Sequence, residues 1–291
     1  PLGIVRFIKR IPWLFHRIFI LRTPHSKAAA FAKFGVSFVV YDGEELLERA
    51  IECIRPVADY VNIVYSQKSY YGDDANPKLG KLCESLKTRG LVDEVIKYET
   101  APISKTDPAR FEKRTAAEIE KRNAGLNAAK RAGCNYFMTM DTDEFYDADA
   151  LRAAKTKIIK RPDWTHTFAH ILNYGRDPTK RYDARKWEYY VPFFAKIDQN
   201  AKLGSNAHCP CLTDPTRNIA HSKNAKYYVL EDIFMHHFTR VRKKLDAKYS
   251  TRNITAAVDD DWINKEENFI TVPDYFKLKD ATRDLRRAPR H

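Results

Sequence analysis

Residues 120–147 read EKRNAGLNAAKRAGCNYFMTMDTDEFYD. An amphipathic run stops at Gly133, an apolar run follows over 135–140, and three acidic residues then fall within four positions, at Asp141, Asp143 and Glu144. Gly133 stands where a helix C-cap favours glycine, so the order is helix, strand, acidic tip. Carboxylates at the end of a buried strand are costly unless something positive meets them. With one residue between them, Asp141 and Asp143 can converge on one divalent ion where the chain turns, and hard oxygen ligands suit Mn²⁺ or Mg²⁺. Any acidic turn can match these letters, so the weight of the motif comes from what precedes it.

Residues 35–41 (GVSFVVY) are β-branched and aromatic, and Leu46, Leu47, Ala50, Ile51 and Ile54 then recur at helical spacing up to Pro56. Residues 57–65 read as a second strand. A helix opens at Pro77, carries Leu79, Leu82, Cys83 and Leu86 on one stripe, and stops at Gly90. Residues 91–98 make a third strand, 108–132 a third helix and 135–140 a fourth strand. This alternation predicts an α/β fold, Rossmann-like, with a mostly parallel central sheet and helices on both faces. Such sheets bind ligands at the carboxyl ends of their strands, where Asp141 and Asp143 fall. Beyond residue 150 the alternation fades. Residues 165–174, 187–197 and 228–238 read as strands and 241–250 as a helix. No Gly/Ser-rich linker intervenes, so this half is expected to extend the same sheet and wall a pocket.

The 291 residues, 44% hydrophobic and 12% aromatic, suffice for a sizeable core. Lys and Arg number 51 against 38 Asp and Glu, a net +13 that suits nucleic acid, an anionic membrane or a phosphorylated substrate. Within residues 4–22, Arg6, Lys9, Arg10, Arg17 and Arg22 interleave with Trp13, Phe15 and Phe19, and no acidic residue precedes Asp42. This segment is too charged to span a bilayer and does not end like a signal peptide. It suits an anionic membrane surface, the simpler alternative being an arm packed on the protein body. The five cysteines are odd in number and mostly in apolar segments, which favours a reducing compartment. HCPC at 208–211 reads as a turn with two small hydrophobes rather than a zinc site.

Two more stretches carry candidate chemistry. In the third helix Ile119, Leu126 and Ala129 form the core stripe, and Arg122 and Asn123 fill the turn it misses. Arg122 either turns its planar fork toward a diphosphate or snorkels to solvent. In EDIFMHHFTRVRKK (231–244), adjacent His236 and His237 point to opposite faces of a strand, so one can join the aspartates on a metal while the other packs. Glu231 and Asp232 are candidate general bases, with ordinary edge charges as the alternative. Arg240, Arg242, Lys243 and Lys244 supply charge fit for phosphates.

Taken together, VVYDGEELLERAI, the 120–147 stretch and FMHHFTRVRKKLDAKY resemble the GT-A fold glycosyltransferases, particularly the family 2-like enzymes of bacterial surface-polysaccharide assembly. The resemblance covers residues 34–249 in order. It implies a metal-dependent, hexosyltransferase-like and inverting enzyme that moves a sugar from a nucleotide-diphosphate sugar to a glycan or lipid-linked acceptor, with no nucleic acid as partner. Tyr41 and Asp42 would meet the nucleotide base and Arg122 would lie near the donor. Asp141 would touch ribose and metal, Asp143 would hold Mn²⁺ or Mg²⁺, and His236 or His237 would complete the metal shell. If the enzyme inverts, Asp232, then Glu231, would accept the acceptor hydroxyl's proton; if it retains, neither need act that way.

The implied organisation is a membrane-associating arm over 1–33, a GT-A domain over 34–276 and a basic tail over 277–291. The domain divides into a nucleotide-sugar half, 34–150, and a C-terminal acceptor-side extension, 151–276. The implied location is cytoplasmic, peripheral on the inner face of the inner membrane. Two departures stand out: the second strand ends in YSQKS rather than an acidic, serine-rich turn, and no QxxRW follows Asp232. They leave base recognition and the catalytic base open. A sugar nucleotidyltransferase is the nearest rival, though YDGEE offers a single glycine after the first strand where that chemistry wants a Gly-rich phosphate loop. A non-catalytic basic protein that binds membrane or nucleic acid is the rival from another class.

Overall fold

The computed structural model describes residues 31–183, 189–204, 209–220, 225–241 and 269–277. β1 (Phe34–Val40), α1 (Glu44–Ile54), β2 (Tyr60–Tyr65), α2 (Leu79–Thr88), β3 (Glu94–Lys97), α3 (Arg110–Arg131) and β4 (Tyr136–Met140) follow in the predicted alternation. β5 (Glu144–Phe145), α4 (Ala148–Lys160), β6 (His166–Asn173), β7 (Lys180–Tyr182), β8 (Tyr190–Lys196) and β9 (Lys202–Leu203) come next. β10 (Ile219–Ala220), β11 (Tyr227–His237) and β12 (Phe269–Thr271) complete the described strands.

Eight strands form one sheet in the order β3-β2-β1-β4-β8-β6-β11-β5. β3, β2, β1 and β4 are parallel neighbours, and β11 runs parallel to β6. β8 is antiparallel to both β4 and β6, and β5 is antiparallel to β11. The architecture is therefore α/β with a mostly parallel central sheet flanked by helices, consistent with a Rossmann-like GT-A fold. The half after residue 150 does extend the same sheet.

All of β2 and β4 is buried, as it must be where helices cover both faces of a parallel sheet. Tyr136, Met138 and Met140 of β4 join one core with α1, α2 and α4, while Phe137 joins a second with Leu126, Ala128 and Ala129 of α3. Alternate residues of one strand thus serve opposite faces. α1 buries Leu47, Ala50, Ile51 and Ile54 at the i, i+3, i+4, i+7 positions of a helix stripe.

α3 approaches the sheet unusually closely. A Cβ on Gly125 would lie 1.9 Å from Ser37 Oγ of β1, and the Asn62 side-chain amide donates to Gly125 O at 3.0 Å. That contact fixes α3 against β1 and β2, and one turn earlier it sets Lys121 and Arg122 against the carboxyl ends of those strands. α4 departs from the sequence expectation, which lets the alternation fade here. Asp147 caps it by accepting from the Asp149 and Ala150 amides at 2.9 and 3.2 Å, and Leu151, Ala154 and Ile158 bury its inner face. The arm over 4–22, all but the first residue of the helix expected over 241–250, and nearly all of the tail lie outside the described residues.

Candidate functional site: a pocket at the strand ends and an adjoining acidic cluster

β1, β2 and β4 end at a cavity of about 130 Å³. Tyr41 and Asp42 follow β1, Ser66 and Ser69 follow β2, Lys121 and Arg122 come from α3, and Asp141 and Thr142 follow β4. The four residues predicted to hold the donor, Tyr41, Asp42, Arg122 and Asp141, thus line one pocket. Its wall is tied across the sheet: Thr142 Oγ1 donates to Asp42 O at 3.2 Å, and the Tyr41 hydroxyl reaches Asp73 O and Asp74 O at 3.1 and 3.3 Å. Burial, the main cause, holds the Tyr41 hydroxyl above its ordinary pKa.

Arg122 is 1% exposed. Its Nη1 donates to Thr139 Oγ1 at 3.0 Å, and its Nη2 pairs with Glu118 at 2.8 Å and with Asp141 at 3.1 Å. Burial alone would favour losing the proton, but Asp141 and Glu118 outweigh it and keep the guanidinium charged. Arg122 does not snorkel to solvent; its guanidinium is turned inward onto Thr139, Glu118 and Asp141.

The acidic tip holds a cation the sequence did not single out. Arg217 Nη2 pairs with Asp141 Oδ2 at 2.7 Å and with Glu144 Oε1 at 2.6 Å, and its Nη1 donates to Glu144 Oε2 at 2.9 Å. Asp214 lies 3.3 Å from Nε, and its own carboxylate caps the Pro215–Arg217 turn by accepting from the Thr216 amide at 2.9 Å. The Asp-Pro pair in TDPTRN marks that turn in the sequence. Nothing in the sequence says that its arginine faces the carboxylates, since this chain has 51 basic residues. Burial pushes the Glu144 carboxyl up, Arg217 pulls it back, and Asp141 and Asp143 push it further. Burial opposes the charge on Arg217, but Asp141 and Glu144 overcome it.

The two histidines separate as a strand requires. His236 packs against the Tyr174 and Tyr275 rings, and its Nδ1 meets the Tyr174 hydroxyl at 2.7 Å. His237 lies opposite Glu144 in the β11–β5 pairing, with Nδ1 on Asn173 Oδ1 at 2.8 Å and Nε2 3.9 Å from Asp143 Oδ2. Because Oδ1 only accepts, Nδ1 carries the proton, and Nε2 is the ring nitrogen turned to Asp143. Asp143, Glu144 and His237 bring ligand atoms within 4.8 Å of one another. Two ligand atoms each about 2.1 Å from a shared ion lie at most about 4.2 Å apart, so the 3.9 Å gap admits one. Glu144 already has both oxygens on Arg217, which makes Asp143 and His237 the better ligand pair. Asp141, expected among the ligands, instead pairs with Arg122 and Arg217, while Glu144 takes its place in the cluster.

Glu231 and Asp232 sit outside the pocket lining on β11. Glu231 is 78% exposed and meets His170 Nε2 at 3.1 Å, and Asp232 is half exposed and pairs with Lys157 of α4. All five cysteines are free thiols, with Cys209 and Cys211 sulfurs 3.8 Å apart. No helix among the described residues is long and apolar enough to cross a membrane.

No protein family and no curated protein matches the chain. Among solved structures, S. aureus TarS 1–349 is 17% identical at a TM-score of 0.32, over 49% of this chain and 36% of that one. A mycobacterial protein is 11% identical at 0.31, over 51% of this chain and 44% of that one. The mannose-1-phosphate geranyltransferase of Thermus thermophilus is 10% identical at 0.30, over 57% of this chain and 50% of that one. The chain thus matches half or less of the length of each of these structures.

Proposed function

We propose that the protein is a metal-dependent glycosyltransferase that uses a nucleotide-diphosphate sugar. The observation that carries this reading is the continuity of pocket and cluster. Asp141 and Thr142 line the pocket, and the next residues along the chain, Asp143 and Glu144, form the cation-competent group with His237. A donor would lay its nucleoside over the ends of β1 and β2, beside Tyr41 and Asp42, and direct its diphosphate toward Asp143 and His237. Arg122 and Arg217 hold Asp141 and Glu144 in place, so the acidic tip is set before ligand arrives. Mn²⁺ or Mg²⁺ held by Asp143 and His237 would offset the charge that grows on the departing diphosphate. Imidazole among the ligands favours a transition metal such as Mn²⁺.

A glycan or lipid-linked acceptor, and attachment of residues 4–22 to an anionic membrane, belong to the same proposal. Glu231 and Asp232 receive no chemical role in it, because they belong neither to the pocket lining nor to the cluster of Asp143, Glu144 and His237.

Thermal unfolding with UDP or GDP, with and without Mn²⁺, tests the reading. One nucleotide should raise the melting temperature in the presence of the ion, with linkage contributing about 2.7 kcal/mol at a hundredfold excess over Kd. No rise with any nucleoside diphosphate refutes it. Incubation with the matching nucleotide sugar then tests for sugar transfer, which releases the nucleoside diphosphate; a nucleotidyltransferase would instead consume nucleoside triphosphate and sugar 1-phosphate and release pyrophosphate.

A further inference from the structure

Lys121 is 2% exposed, deep in α3, and lines the pocket. Its ammonium donates to Val40 O at the end of β1, at 2.8 Å. An ammonium has three donors, and a buried one ordinarily faces a carboxylate. Here Glu118 and Asp141 of the same pocket pair with Arg122 instead, and among the described residues no carboxylate forms an ion pair with Lys121. Of the two buried cations that line the pocket, Lys121 and Arg122, only Arg122 forms an ion pair with a carboxylate among the described residues.

We propose that Lys121 is the anion-reading residue of the pocket, supplying the positive charge that pairs with a phosphate group of the bound ligand. The proposal rests on the nucleotide-sugar reading for the identity of the ligand, but not for its charge. The helix places the residue for this task, since Gly125 one turn later seats α3 on Ser37 and so brings Lys121 to the mouth of β1. Arg122 is spent on carboxylates, so it cannot take the same part without releasing Glu118 or Asp141.

The electrostatics of the pocket support the assignment. Burial is the main cause that lowers the Lys121 pKa to about 7, and Arg122 adds to it, while Asp141, Glu118 and Asp42 pull the other way. From α2, the Cys83 thiol lies within electrostatic reach of Lys121, whose charge lowers the thiol pKa slightly against the larger upward push of burial. An anion beside Lys121 favours the charged form and raises its pKa, so binding takes up a proton in the pH range just above 7. Affinity should fall as pH rises from about 7 to about 9, a window in which a nucleoside diphosphate is already almost fully ionised.

Calorimetric titration of the full chain in Mg²⁺ with UDP, GDP, uridine, guanosine and inorganic pyrophosphate tests this, in the wild type and in Lys121→Met. Methionine keeps the buried stem and removes the charge. The expected result is a loss of about tenfold or more in affinity for the bound nucleoside diphosphate and for pyrophosphate, the size of a lost hydrogen bond to a charged group. The matching nucleoside should bind as before, and the pH dependence should flatten. Equal affinity of both proteins for the diphosphate overturns the proposal, as does a parallel loss of diphosphate and nucleoside, which marks a structural role. If the wild type takes pyrophosphate and no nucleoside diphosphate, the glycosyltransferase reading falls while Lys121 is still judged on pyrophosphate. If it takes neither, both fall.

Discussion

The strands on the two sides of β4 are built differently and contribute differently. β3, β2, β1 and β4 run parallel with helices on both faces, so side chains along β2 and β4 are buried and chemistry is confined to the carboxyl rim. β8, β6, β11 and β5 form the mixed half. β11 slips register between Leu230 and Phe234 and leaves Tyr228 and Phe234 exposed. The parallel half supplies the floor, with Tyr41, Asp42, Lys121, Arg122 and Asp141. The other half reaches back to it with two groups, His237 through the antiparallel β11–β5 pairing and Arg217 through a capped turn. Floor and reach meet at residues 141–144, and neither half holds the cation-competent cluster alone.

Asp143→Ala separates the two contributions most sharply. If the parallel rim only shapes the pocket while Asp143 and His237 supply the ion, sugar transfer should drop by about 10³-fold. Circular dichroism and binding of the nucleoside alone should stay unchanged. Undiminished Mn²⁺-dependent turnover would show that the acidic tip is not where the halves cooperate. Next in size is Arg217→Met. It leaves Asp141, Glu144 and Asp214 without the charge that bridges them, and breaking such a buried pair from one side costs about 3–5 kcal/mol. Urea unfolding measures it, and a cost under about 1 kcal/mol, the range of an exposed pair, would mean that the second half does not hold the tip together.

Gly125→Ala probes the floor by itself. The new methyl would meet Ser37 Oγ at 1.9 Å, an overpacking worth about 1–3 kcal/mol. Adding Ser37→Gly should restore part of that stability, because the same contact includes Ser37 Cβ at 2.7 Å. A double variant no more stable than Gly125→Ala would place the strain elsewhere.

The same division decides what could be read from the letters. α1, α2 and α3 show as apolar stripes and β1, β2 and β4 as dense apolar runs, since burial on both faces leaves little room for polar residues. α4 hides behind the acidic tip, with Leu151, Ala154 and Ile158 as its whole buried face and only the Asp147 cap to announce it. β5, β9 and β10 have two residues each, too few to carry a period. At the site, the carboxylates at a strand end were visible as an anomaly, and so was Arg122, which interrupts a helix stripe. Lys121 and Gly125 lie in the same quoted stretch, yet their roles depend on which face of α3 meets β1. Arg217 depends on a long-range approach that no local pattern encodes.

The smallest expected effect concerns β11 where the mixed half is most open. Asp232 pairs with Lys157 and Glu231 with His170, both at the surface, and exposed pairs of this kind contribute about 0–1 kcal/mol. Asp232→Asn and Glu231→Gln should therefore leave urea midpoints almost unmoved. The resemblance makes these two residues the bases of an inverting transfer, whereas both lie outside the pocket lining and outside the acidic cluster. Turnover measured against pH discriminates: a base removed takes the acidic limb of the profile with it, while a surface charge removed leaves both limbs. Turnover within about twofold of wild type in both variants, with the acidic limb intact, would confine proton acceptance to the rim of the parallel half. Loss of that limb in Asp232→Asn would instead require β11 to deliver a third group to the pocket, beside His237 and in concert with Arg217.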